Sequence, residues 1–301
     1  MAESGIHRYA VVTGANKGIG FEICKQLASN GVKVVLTARD ENRGIAALEK
    51  FKGTDICDLV IFHQLDVADP ASVASLAQFL KNQFGKLDIL VNNAGIGGVM
   101  VDEEAFRAST TSGNEATGTQ IKMEGMLTDN EELVVQCLQT NYYGAKRMIE
   151  HFLPFLELSD SPKIVNVSSS MGKLKGLKNE WAIGILSDVE NLTEEKIDEV
   201  LDQYLNDYKD GLLEIKGWPT TLSAYIVSKA AMNAYTRIFA RKNTAICINC
   251  VCPGFVKTDI NRNTGILSVE DGAETPVKVA LSPQDEPSGC FFDRNGAVSF
   301  Y

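Results

Sequence analysis

The run Thr13-Gly14-Ala15-Asn16-Lys17-Gly18-Ile19-Gly20 constrains this chain more than any other feature. Its glycines, spaced G-x-x-x-G-x-G, follow the apolar, β-branched stretch Tyr9–Thr13 and open a helix-period segment, Phe21–Asn30, closed by Gly31. Glycine at such points permits positive φ and lets backbone N–H groups approach an anion at a helix N-terminus. A glycine cluster alone says little. Between a strand and a helix, it predicts an α/β unit that holds a dinucleotide pyrophosphate.

The rest of the chain continues the alternation. Val32–Thr37, Leu59–Leu65, Leu87–Val91, Lys163–Val167 and Ala245–Val251 read as strands, with helices expected near Asn42–Lys52 and Ala71–Phe84. Asp69-Pro70 supplies an N-cap and first-turn proline for the latter. Strands apolar on both faces and separated by helices imply a parallel sheet covered on both sides. The expectation is a single α/β domain over 1–301, a doubly wound Rossmann-type sheet. Two segments break the pattern: a polar lid at about 102–130 and a helical insertion at about 181–218, with its helix at Thr193–Lys209.

Composition narrows the function. Thirty-nine acidic residues against 29 basic ones leave a net charge of −10, which argues against nucleic-acid and membrane-surface partners. No apolar run is long enough for a membrane helix, and the N-terminus shows no secretory pattern. Seven cysteines, an odd number scattered through apolar segments, suit a reducing, cytoplasmic setting. Cys247-x-x-Cys250-x-Cys252 lies on an expected buried strand and reads as core packing, so no metal is expected.

The end of the second strand bears on the cofactor. An acid there bonds a ribose 2′-OH, whereas an arginine accommodates a 2′-phosphate. Arg39 stands at that position, Asp40 follows it, and Lys17 and Arg43 lie within reach, favouring NADP over NAD. Asp66-Val67 after the third strand and Asn92-Asn93-Ala94-Gly95 after the fourth leave room for the nucleotide. Tyr225 and Lys229, four apart on an expected helix Ser223–Ala240, share one face. An ammonium beside a phenol stabilises phenolate and makes the tyrosine a working acid.

TGANKGIG, LDV, NNAG, Asn141, the Ser168-Ser169-Ser170 run, Tyr225-x-x-x-Lys229 and Pro253-Gly254 together resemble the short-chain dehydrogenase/reductase family. IFHQLDV, FGKLDILVNNAG and CVCPGFVKTD narrow the resemblance to an extended-loop, carbonyl-reductase-like plant group. That resemblance implies NADPH/NADP+, with Tyr225 as general acid and Lys229 as electrostatic partner and ribose anchor. Asn141 would hold a relay water, and Val256 and Thr258 would lie beside the nicotinamide amide. Ser169, second in the run, would orient the carbonyl, with Ser168 and Ser170 as alternatives. The insertion would cover the helices other members use to associate, implying a monomer. By position, Val99, Val101, Leu174, Phe255 and Ile260, edged by Asp102 and Asn261, would line a pocket for a bulky, mostly apolar cyclic ketone. The expected reaction is ketone reduction to a secondary alcohol. A double-bond reductase on the same fold and a non-catalytic NADP-binding regulator are the alternatives.

Overall fold

The computed structural model describes residues 8–104, 125–284 and 286–301. Seven parallel strands and one antiparallel edge strand form the main sheet, in the order β10-β9-β8-β7-β4-β1-β2-β3. The early strands are β1 (Tyr9–Val12), β2 (Lys33–Ala38), β3 (Val60–Gln64) and β4 (Ile89–Asn92). β7 (Lys163–Val167), β8 (Cys247–Val251), β9 (Phe291–Asp293) and β10 (Gly296–Val298) complete it. The order reverses at β1, which pairs with β2 on one side and β4 on the other. In a doubly wound sheet that reversal opens a crevice at the carboxyl ends of the strands.

Alternation along the strands fills two cores. Val11, Val35, Leu90 and Ile164 face one layer of helices, while Ala10, Val12, Val34, Val91 and Val165 face the other. The second layer holds α1 (Gly18–Ser29) and α9 (Val269–Ala280). The first layer holds α3 (Pro70–Gln83), α4 (Glu131–Leu138), α5 (Gly144–Leu156) and α8 (Ser223–Lys242). α2 (Glu41–Glu49) packs beside β3. The Asp69 side chain accepts the Ala71 N–H at 2.9 Å, the N-cap that Asp-Pro announces.

α1 begins at Gly18, earlier than hydrophobic periodicity places it. Periodicity cannot see Gly18 and Gly20 as helical, because glycine is a poor helix former. A β-carbon at Gly20 would lie 2.4 Å from Asn93 Nδ2, so close approach outranks propensity there. α4, α5 and the short strands β9 and β10 are additions to the sequence reading.

The insertion folds as α6 (Glu180–Ser187) and α7 (Glu194–Lys209), which packs on α8. Ile197, Val200, Leu201 and Tyr204 recur at helical spacing and are buried. Tyr204 Oη lies 2.7 Å from Ser223 Oγ, fixing the insertion to the start of α8, and within the insertion Trp218 Nε1 donates to Asp207 at 2.7 Å. Most of the expected lid lies outside the described residues. At its ends β5 (Met100–Val101) pairs antiparallel with β6 (Leu127–Thr128). No helix of the described residues is long and apolar enough to cross a membrane.

Candidate active site

Backbone carries four candidate side chains to one end of the crevice. Ser169 follows β7, Tyr225 and Lys229 lie on the first turns of α8, and Asn141 lies between α4 and α5. The two helices join through a π-helical stretch, Gln139–Tyr143, a local widening common at functional sites. It aims the Asn141 amide at the backbone of Ile96. Asn141 Oδ1 accepts the Ile96 N–H at 2.9 Å, and Nδ2 donates to the Ile96 carbonyl at 3.0 Å. The same Nδ2 donates to Ser228 Oγ at 3.0 Å and meets Cys137 Sγ at 3.2 Å. Ser228 Oγ in turn donates to the Tyr225 carbonyl at 2.8 Å, joining the asparagine to the helix that bears the phenol.

Lys229 is buried, and its Nζ donates to the Val167 carbonyl at 2.8 Å. Burial pushes its ammonium down to about 8. Burial pushes the Tyr225 phenol up to about 12, and the Ser169 hydroxyl opposes that only in part. The expected lowering of the phenol by Lys229 is therefore not what the protein alone provides. Lys229 Nζ stands 5.7 Å from the ring centroid and is turned toward Val167. The phenol is held neutral.

The serine run divides. Ser168 is buried and donates to Asn233 Oδ1 at 2.7 Å, while Ser170 N–H donates to Cys252 Sγ at 3.3 Å. Ser169 accepts the Met171 N–H at 3.1 Å, and of the three it is the one that acts on the ionisation of the Tyr225 phenol. Ser228, Cys137 and Asn233 are missing from the sequence reading, and Cys252 figures there only as core packing. Helical spacing marks two of them, since Ser228 is one turn from Tyr225 and Cys137 one turn before Asn141.

At the reversal, Thr13 Oγ accepts the N–H groups of Asn93 and Ala94, both at 2.9 Å, and Asn93 Nδ2 donates to the carbonyls of Thr13 and Gly14. Gly14 has φ +62°, and a β-carbon there would meet Ala94 Cα at 2.9 Å. Helices α2, α3, α4, α7 and α9 are capped by Asp40, Asp69, Asn130, Thr193 and Ser268. α1 has no side-chain cap and no acid in its first turn. Its first N–H groups are left for an outside acceptor, and this cradle fits a nucleotide pyrophosphate.

Arg39 is exposed beyond β2 and lines an open cavity of about 620 Å³ with Gln64, Asp66 and Asp69. Asp66 is half-buried beside buried Val67, and its Oδ1 accepts the Ala68 N–H at 2.9 Å. Asp40 caps α2 by accepting the Arg43 N–H at 2.9 Å. Lys17, expected to reach the same phosphate as Arg39, pairs with Asp259. Pro253 and Val256 are buried, Gly254 is exposed, and Thr258 caps a short turn, Asp259–Asn261.

The expected substrate-side residues separate. Phe255 and Ile260 are exposed, Val99 and Val101 half-buried, and Asp102 exposed. Leu174 belongs instead to the main core, because its side chain is closed off by neighbouring apolar groups. Asn261 serves its own turn, accepting the Thr258 N–H at 3.2 Å and donating to the Val256 carbonyl at 2.7 Å.

A family model described as short chain dehydrogenase matches residues 8–182. The (+)-neomenthol dehydrogenase of Arabidopsis thaliana is 60% identical over 296 residues, spanning 97% of this chain and 98% of that protein. The (-)-isopiperitenone reductase of Mentha piperita is 49% identical over 316 residues, covering 100% of both. Among solved structures, salutaridine reductase from Papaver somniferum matches with a TM-score of 0.91 at 50% identity, covering 95% of this chain and 99% of that one. Matched over more than half its length by the family and nearly end to end by these relatives, the chain belongs to the short-chain dehydrogenase family, oxidoreductases that work with a nicotinamide cofactor.

Proposed function

We propose that this protein uses NADPH to reduce the carbonyl of a bulky, mostly apolar cyclic ketone to a secondary alcohol, acting as a cytoplasmic monomer. The observation that carries the reading is the placing of Ser169, at the end of β7, beside a Tyr225 phenol that burial keeps neutral, with buried Lys229 one helical turn on. The nicotinamide cofactor, when bound, supplies hydride. Ser169 and Tyr225 hold the carbonyl oxygen, and Tyr225 gives it a proton as negative charge develops there. Lys229 and Asn141 stand behind the phenol as the return path for that proton. Arg39 supports a 2′-phosphate, since Asp40 is spent as a helix cap.

The relatives named for neomenthol, isopiperitenone and salutaridine support a terpenoid- or alkaloid-sized substrate. Exposed Ile260 provides an apolar surface near Val99, with Ile260 Cγ1 and Val99 Cγ2 at 4.0 and 3.7 Å from where a β-carbon on Gly97 would stand, and Phe255 is exposed on the same loop. Seven free thiols suit a reducing compartment. The insertion on α8 supports the monomer.

The test is a panel of cyclic ketones and enones with NADPH, with products separated on a chiral column. Alcohols are the expected products. A saturated ketone as main product from an enone would put double-bond reduction first. No NADPH oxidation with any carbonyl would leave a nucleotide-binding regulator.

A further inference from the structure

Lys17 belongs to the glycine turn, and Asp259 follows Thr258, which lies against that turn. Lys17 is the residue before α1, with extended backbone and a side chain that caps nothing. Asp259 opens the short turn capped by Thr258, which lies against the glycine loop: a β-carbon on Gly18 would meet Thr258 Cγ2 at 3.5 Å. Their side chains close an ion pair over the uncapped end of α1, and both are more than half exposed, at 55% and 62%. Lys17 holds the Asp259 carboxyl below the usual carboxylate range, by hydrogen bond first and by charge second. Three residues on, Arg262 pairs with Glu103, just beyond β5. The turn is thus tied to the nucleotide side by one end and to the substrate side by the other.

An ammonium neutralised by a carboxylate is a poorer partner for a phosphate. An exposed pair is also weak enough to be exchanged, because water and salt screen it. We propose that Asp259 determines nucleotide selectivity by holding Lys17, so that a 2′-phosphate binds by taking the Lys17 ammonium away from the Asp259 carboxylate. Asp259 is then a negative control on the affinity for NADP(H), without effect on a nucleotide that lacks the phosphate. The inference rests on the NADPH reading above.

The exchange is testable without turnover, by calorimetric titration with adenosine 2′,5′-bisphosphate and adenosine 5′-monophosphate. Asp259→Asn keeps shape and removes charge at an exposed position. It is expected to tighten the bisphosphate about five-fold, the scale of one exposed ion pair, and to leave the monophosphate unchanged. Lys17→Met is expected to weaken the bisphosphate, and adding Asp259→Asn to it is expected to have no further effect. If the wild type prefers the bisphosphate but Asp259→Asn does not tighten it, the exchange is wrong and the NADPH reading stands. If the wild type binds both nucleotides equally, the NADPH reading falls and the exchange falls with it. Equal tightening of both nucleotides by Asp259→Asn would also overturn the exchange, since the carboxylate would then act without regard to the 2′-phosphate.

Discussion

Ser168 Oγ donates to Asn233 Oδ1 at 2.7 Å, so the residue next to Ser169 is committed to α8 rather than to the cleft. The two hydroxyls should fail differently when removed. Ser168→Ala leaves a buried amide oxygen without its donor, costing about 1–3 kcal/mol of stability with turnover near normal. Ser169→Ala should unfold at wild-type urea concentration and lose turnover by about 10²-fold, the scale of one hydrogen bond to a developing oxyanion. Urea titration and steady-state kinetics on both variants separate them; the reverse pattern would move the carbonyl contact to Ser168.

Tyr225→Phe removes the proposed proton donor and keeps the ring. The variant should fold, bind NADPH as wild type does, and lose about 10²–10⁴ in turnover. Fluorescence titration measures the binding and single-turnover kinetics the chemistry. A loss of binding equal to the loss of turnover would mean that the phenol holds the cofactor rather than donating a proton.

Lys229 gives stability a pH dependence of definite sign. Its ammonium is pushed from 10.5 down to about 8 by burial. Between those values the unfolded chain keeps the proton and the folded chain releases it, so stability rises with pH across that window. The rise is bounded by about 1.4 kcal/mol per unit, or roughly 3 kcal/mol in all. Lys229→Met should lack it, so the gap between variant and wild type in urea should shift in favour of the wild type from pH 7.5 to 10. A gap that stays constant over that range would show that the lysine titrates as an exposed one does.

How much of this was readable in the chain differs by residue. The glycine turn, Asp69-Pro70 and the Tyr225/Lys229 spacing are local, and local spacing survives folding. Arg39 and Asp40 were legible as a pair, though the division of labour between them was not, because only the N-cap geometry turns Asp40 into α2. The Lys17–Asp259 pair joins positions far apart in sequence and separated by most of the sheet, so no spacing rule reaches it. Asn141 lies on a stretch whose π geometry no periodicity announces. Leu174 looked like a pocket residue by position alone, and only packing closes it into the core.

The insertion makes a prediction about association. α7 buries Ile197, Val200, Leu201 and Tyr204 against the layer that contains α8, and Lys146 ties it down through Glu194 and Asp198. With that surface occupied, light scattering should return a single mass near the 32.8 kDa of the chain. A stable tetramer would require another association face.

The last prediction divides Arg39 from Asp40. A carboxylate at the end of the second strand ordinarily accepts from a ribose 2′-OH, and its presence would favour NAD. Here the Asp40 carboxylate accepts the Arg43 N–H at 2.9 Å and caps α2, while Arg39 stays exposed beside the cavity that Asp66 also lines. Asp40→Ala should therefore cost about 1 kcal/mol of stability, the usual loss for an N-cap, and leave the NADPH-to-NADH preference where it was. Arg39→Ala should leave stability alone and weaken NADPH by about 10–10²-fold, a charged hydrogen bond's worth, with NADH little changed. Kinetics with both cofactors on both variants, alongside urea titrations, checks each half. If Asp40→Ala raised the KM for NADH and Arg39→Ala left both cofactors alone, the carboxylate would be the ribose ligand and the cofactor NAD.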